Sequence, residues 1–288
     1  MKNKKVNELH DMDYKSKRKI LRKFASNPEI EEILDIMVDE ILVPNGSMLY
    51  KFDLSGLDGI IDDDEIKFLY GFKNKIFEMY GIDGITIYEY LRTFLIDGYL
   101  AFEIVYNEKM TKIIGFKELD PTSLIPDVHV TSNGLQRVWI QYRDDEQLKR
   151  ILIDSQVIYI SYAKHNYSKT SYVESLVRSF KYLRMMEDFK VIRNLSSDIV
   201  DMYNINIDVE SDIRYFKDKL IRDSRIPDPT FKDNKFYLDE KEELRFSRFK
   251  EKILSKFQEI FIKPLWIQFC IEYPQFQYNE TIKQNLKI

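Results

Sequence analysis

SYVESLVRSFKYLRMMEDFKVIR, residues 171–193, is the stretch whose reading decides the architecture. Val173, Leu176, Val177, Phe180, Leu183 and Met186 recur at intervals of three or four, the spacing of one apolar helix face. Arg178, Lys181, Arg184, Lys190 and Arg193 lie opposite, mixed with Glu187 and Asp188. The stretch contains neither glycine nor proline, so it predicts one long amphipathic helix with a charged outer face.

Working outward, the next segment changes character. Tyr203–Val209 alternates apolar residues with Asn and Asp and reads as a single strand, which needs a partner that another chain could supply. Asp212–Arg222 reads as a short amphipathic helix, ended by Pro227-Asp228-Pro229. A polar segment, Thr230–Tyr237, leads to a long helix from about Asp239. This helix carries Leu244, Phe249, Ile253, Phe257 and Ile260 and is expected to kink or break at Pro264.

Upstream, residues 1–19 are polar and basic and suggest a flexible arm, with a short helix from about Lys15 to Ala25. Asn27-Pro28 opens the next helix, with Glu29, Glu31 and Glu32 in its first turn where the helix dipole favours acids. Asp62, Asp63 and Asp64 read as the cap of a helix over Glu65–Tyr80, and another helix runs from about Thr86 to Asp97. After Gly98 the period becomes two. Tyr99–Tyr106 and Lys112–Glu118 form a hairpin around Asn107-Glu108-Lys109. Gln136–Arg143, Arg150–Ile153 and Gln156–Ser161 complete one small, mainly antiparallel sheet. The fold class is therefore α+β, mainly helical.

Composition narrows the chemistry. The 288 residues carry a net charge of −4, unlike a general nucleic-acid coat, although tight phosphate contacts would oppose a duplex that must slide. Cys270 is the one cysteine, so no intrachain disulfide forms, which fits assembly in a reducing cytoplasm. No run of 18 apolar residues occurs, so no membrane-spanning helix is expected. Tyr and Phe number 19 each, a content that suits either a core or a subunit interface. His10, His129 and His165 lack ligand spacing, and no phosphate-binding glycine loop or nucleophile elbow is present. An EF-hand reading from Asp53 fails because Leu57 falls on a ligand position and Asp58 on the turn glycine. No catalytic residue, metal or cofactor is expected, and the chain reads as a non-enzyme.

Four segments, in order, resemble the portal (head–tail connector) proteins of T-even-type contractile-tailed phages. They are Arg22–Val43; Thr93–Glu103 with Ile114–Pro121; Ser171–Leu176 with Leu183–Asp188 and Val191–Arg193; and Tyr215–Leu220 with Ile226-Pro227 and Glu243–Phe249. Asn194-Leu-Ser-Ser197 replaces the family's Arg-Ala-Pro-Glu, and most of the family's clip segment is missing between Val209 and Ser211. Little sequence follows Pro274 to build a crown.

The resemblance implies a portal fold with an arm (1–19), a wing (20–165), a stem with reduced clip (166–222, clip 203–211), a tunnel loop (223–241) and a C-terminal wing or crown helix (242–288). It implies a homo-oligomeric ring, typically a dodecamer, at the capsid vertex of the virion, assembled in the bacterial host cytoplasm. Its partners would be the major capsid protein, neck or adaptor proteins, terminase transiently, and double-stranded DNA bound without sequence preference. Lys232, Lys235 and Lys241 would face the DNA channel; a solvated loop is the plain alternative. Arg178, Lys181, Arg184, Glu187, Asp188 and Lys190 would form salt bridges between stems. Another phage structural component, of adaptor or baseplate type, is the alternative function. A nuclease using Asp62–Glu65 is a third, which predicts magnesium-dependent cleavage lost on Asp63→Ala.

Overall fold

The computed structural model describes residues 14–42, 57, 60–80, 84–120, 123–131, 134–142, 149–163, 170–195, 209–224, 240–279, 281–282 and 286. Its helices are α1 (Tyr14–Ala25), α2 (Pro28–Leu42), α3 (Asp63–Met79), α4 (Gly84–Asp97), α5 (Tyr172–Leu195), α6 (Val209–Ser224), α7 (Glu240–Phe257) and α8 (Glu259–Glu272). Between α4 and α5 run six strands: β1 (Tyr99–Tyr106), β2 (Ile113–Glu118), β3 (Leu124–Thr131), β4 (Gly134–Tyr142), β5 (Lys149–Ile153) and β6 (Val157–Ser161). The chain is mainly helical with small antiparallel sheets, as its periodicities predict. It divides into two compact units, residues 1–37 with 171–250, and residues 38–170 with 251–288.

The first unit is built on α5. Val173, Leu176, Val177, Phe180 and Leu183 are buried, so the apolar stripe read from residues 171–193 is the core face of this helix. Phe24 of α1 meets Phe180 edge-on at 5.1 Å. Buried Lys17 pairs with Glu174 at 2.8 Å. α6 packs along α5, with Phe216 stacked on Tyr182 at 5.4 Å and the Ser179 hydroxyl donating to Asp223. Asn27 closes one helix and opens the next. Its side-chain amide donates to the Phe24 carbonyl at 2.6 Å, and its own carbonyl accepts from the Ile30 and Glu31 amides.

The short helix expected from about Lys15 to Ala25 is α1, which begins at Tyr14, with Lys17 and Leu21 buried. Residues 20–37 cluster with the α5 unit. One expectation changes here, at the start of α6. The helix expected over Asp212–Arg222 begins at Val209, which is therefore helical and not part of a strand; Tyr203–Asp208 lie outside the described residues.

The second unit holds both sheets, α3, α4 and α8. Asp62 opens α3, and the Glu65 carboxylate reaches back to accept from the Asp62 amide at 2.8 Å, the closing bond of a capping box. Gly98, at φ 86°, ends α4 in the left-handed conformation that a Cβ would oppose and turns the chain into β1. The β1–β2 hairpin closes on Asn107, whose side-chain oxygen accepts from the Thr111 and Lys112 amides at 2.8 and 3.1 Å. One sheet has the order β2-β1-β6, with Phe102 opposite both Glu118 and Ile158.

The remaining strands form a second sheet, β3-β4-β5, where the sequence predicts one sheet and no strand at β3. Pro126 and Asp127 hide β3 from a propensity reading. Proline is tolerated there because β3 is an edge strand. The two sheets share a small core of Ala101, Leu119, Leu124, Trp139, Leu152 and Val157. Arg150 of β5 makes a two-pronged bridge to Glu103 of β1 beside that core.

The C-terminal helix also departs from expectation. The break falls between Phe257 and Glu259, and Pro264 sits inside α8. Proline removes the amide that would bond the carbonyl four residues earlier, at Ile260. In this structure the Tyr80 hydroxyl donates to that buried carbonyl at 2.9 Å, so the helix continues through the proline with the polar group satisfied.

Candidate functional site

The outer face of α5 carries the residues expected to join neighbouring stems. Helical periodicity places them there: once the apolar stripe is buried, the charged positions must point away from the core. Arg178 is exposed, with its guanidinium 5.7 Å above the Tyr182 ring. Lys181 and Asp188 are exposed, and Lys190 is half-buried.

Arg184 has its guanidinium engaged within the chain. It donates to Glu187 at 2.7 Å and to both Glu29 oxygens at 2.7 and 2.8 Å, and it lies 5.0 Å over the Phe180 ring. Partial burial disfavours its charge, but the Glu187 and Glu29 carboxylates outweigh this and leave its pKa raised. Glu29 was legible only as a first-turn acid of α2. Its second role follows from α2 and α5 meeting in space, which no local spacing signals. Lys241 lies in the first turn of α7, whereas Lys232 and Lys235 lie outside the described residues.

In the second unit, three side chains of α7 and α8 bind backbone at long range. Lys256 donates to the carbonyls of Ser161, Tyr162 and Ala163 at 2.7, 2.8 and 2.5 Å, using all three ammonium protons at the end of β6. Lys263 donates to the Val157 carbonyl at 2.7 Å and to Asp154 at 3.1 Å. Burial lowers its pKa, and Asp154 partly opposes that. Gln268 accepts from the Ile113 amide at 2.7 Å and donates to the Thr111 carbonyl at 3.1 Å, so it pins the β1–β2 hairpin. Sequence reading missed all three, because each partner lies about a hundred residues or more away along the chain.

A half-open hollow of about 330 Å³ is lined by Asp154, Ser155, Glu259, Lys263, Trp266 and Ile267. Its best-placed carboxylate is already engaged, since Asp154 accepts from the Trp139 indole at 3.2 Å as well as from Lys263. Asp62–Glu65 are likewise used by α3: Glu65 binds the Asp62 amide, and Asp64 pairs with Lys67 at 3.1 Å. Among the described residues no three His, Cys, Asp or Glu side chains gather where they could hold a metal, and no helix is long and apolar enough to cross a membrane.

Comparison with known families settles the lineage. The family model for Bacteriophage T4-like portal protein (Gp20) matches residues 15–209 and 204–288. The chain belongs to this portal family. Portal proteins of this kind are structural head–tail connector proteins of bacteriophages, concerned with DNA packaging. The two matched portions overlap at residues 204–209. No curated protein matches the chain.

Proposed function

We propose that the chain is a portal subunit that closes into a ring, typically of twelve copies, at the unique capsid vertex, where double-stranded DNA enters and leaves. The family match over residues 15–288 carries this reading. The ring would nucleate head assembly and contact the major capsid protein. It would receive terminase during packaging and later hold the neck and tail. ATP hydrolysis belongs to the terminase. The second compact unit is the wing, α5 and α6 form the stem, and the reduced clip falls in the connection between them, at residues 203–208. The modest acidity of the chain suits a channel that must let phosphates slide.

Electron microscopy of the purified full chain tests the reading: rings with an open central channel are expected, and a strictly monomeric particle overturns it. Lys232 and Lys235, with Lys241, are proposed to meet the DNA backbone without reading sequence. Replacing Lys232 and Lys235 together with alanine is expected to alter DNA packaging or retention while rings still form. Unchanged packaging removes them from the channel.

A further inference from the structure

β6 is an edge strand with the sequence of a central one. It occupies one rim of the β2-β1-β6 sheet. Its residues are Val157, Ile158, Tyr159, Ile160 and Ser161, without charge, glycine or proline, and all but Tyr159 are buried. A short uncharged run of β-branched and aromatic residues at a sheet rim is the pattern that recruits another strand. β2, at the other rim, carries Lys117 and Glu118 within the strand, and charges of this kind discourage such pairing.

The register fixes which groups β6 turns outward. The Tyr162 amide donates to the Gly98 carbonyl at 2.7 Å, and opposed residues of an antiparallel pair alternate between bonded and non-bonded. Tyr99 stands opposite Ser161 and Glu103 opposite Val157. Ile158 and Ile160 therefore bond β1, whereas Val157, Tyr159 and Ser161 turn their backbone groups away from the sheet. The outward carbonyls at the two ends of the strand are both taken. Lys263 donates to Val157 at 2.7 Å, and Lys256 donates to Ser161 at 2.7 Å. Lys256 also binds the Tyr162 and Ala163 carbonyls just beyond the strand, and Asp154 accepts from Lys263 at 3.1 Å and holds it in place. A strand added at this rim needs the same carbonyls, so it has to displace two ammonium groups from their acceptors.

We propose that Lys256 and Lys263 guard the β6 edge: by occupying the outward carbonyls at both ends of the strand, they keep the sheet from adding a strand of a second copy. The Val157–Ser161 segment then serves two buried faces without making the folded chain self-associate. This does not rest on the ring reading above.

Methionine in place of each lysine keeps an apolar stem and removes the donor. Lys256→Met, Lys263→Met and the double variant are made in the full chain, and circular dichroism checks that each folds. Tyr80→Phe is the control, because it removes a buried hydrogen bond in the same unit and leaves both lysines in place. All proteins are compared at urea concentrations that give the same unfolded fraction, so lost stability alone does not separate them. Light scattering and thioflavin T follow self-association, and hydrogen exchange read by mass spectrometry locates the new pairing. The double variant is expected to gain intermolecular β-structure several times faster than Tyr80→Phe, with new protection at the outward Tyr159 and Ser161 amides. If the double variant does not fold, the single variants carry the comparison, since each frees one end of the edge. Lysine variants that associate no faster than Tyr80→Phe overturn the proposal. Faster association without new protection in Val157–Ser161 puts the contact elsewhere and overturns it as well.

Discussion

Replacing Tyr80 with phenylalanine isolates the bond that lets α8 run through Pro264. The ring itself stays in place: it stacks on Phe116 at 4.1 Å and meets Phe102 and Phe261 edge-on at 5.3 and 5.7 Å. Only the hydroxyl is lost, and with it the 2.9 Å bond to the Ile260 carbonyl. Pro264 has no amide to offer that carbonyl, and Ile260 is fully buried, so water cannot replace the donor. Leaving a buried carbonyl without its partner costs about 1–3 kcal/mol. For a unit of this size that is a fall in midpoint temperature of about 2–10 °C. Burial first, and then the nearby Tyr90, hold the Tyr80 pKa well above 10, so the phenol remains a donor through neutral and mildly alkaline pH. A raised phenol pKa contributes stability that is complete below the unfolded value and lost only as pH rises above it. The cost of Tyr80→Phe is therefore expected to be flat between neutral pH and about pH 9.

Urea unfolding of the dilute full chain, followed by tryptophan fluorescence, measures this cost. Both tryptophans, Trp139 and Trp266, lie in the second unit and report on it alone. The second arm of the test is Pro264→Ala, which restores the missing amide. In the Tyr80→Phe background that amide can bond Ile260, so the double variant is expected to recover most of the loss. A Tyr80→Phe change within about 0.5 kcal/mol of wild type, or strict additivity with Pro264→Ala, refutes the reasoning.

Gln268→Leu removes the partners of the Thr111 carbonyl and the buried Ile113 amide. It is expected to cost about 1–3 kcal/mol for each group left unpaired, and to speed hydrogen exchange at Ile113, measured by mass spectrometry. Lys256→Met strips three carbonyls at the end of β6 of their common donor. A loss of about 1–3 kcal/mol in urea unfolding is expected, with unchanged stability the contrary result. The Arg184 and Glu29 side chains are 43% and 37% exposed, so solvent screens their pair. A double-mutant cycle to alanine is expected to give a coupling below about 1 kcal/mol that shrinks further in 1 M salt, and a larger, salt-insensitive value would contradict this.

Local periodicity made much of the fold legible. The α5 stripe, the Asn27-Pro28 helix start, the Asp62 cap and the Asn107 hairpin all depend on residues within a few positions of one another. β3 was not legible, because the pairing that holds Pro126 and Asp127 extended comes from β4 and not from their own propensity. Of the candidate site residues, the exposed charges of Arg178, Lys181 and Asp188 follow from the helical stripe. The capture of Arg184 by Glu29 does not, because it needs α2 laid against α5.

The sequence by itself determined the helix-rich class, the buried face of α5 and the portal lineage, since these rest on short-range spacing and on motifs held in order. Tertiary structure alone decided that six strands divide into two sheets, that Lys17 is buried in a pair with Glu174, and that the C-terminal helix breaks at Gln258 and passes through Pro264. The last case carries the physical reason most clearly. A proline orphans a carbonyl by a local rule, but whether the helix survives depends on a donor 180 residues away, and only the folded chain brings Tyr80 to Ile260.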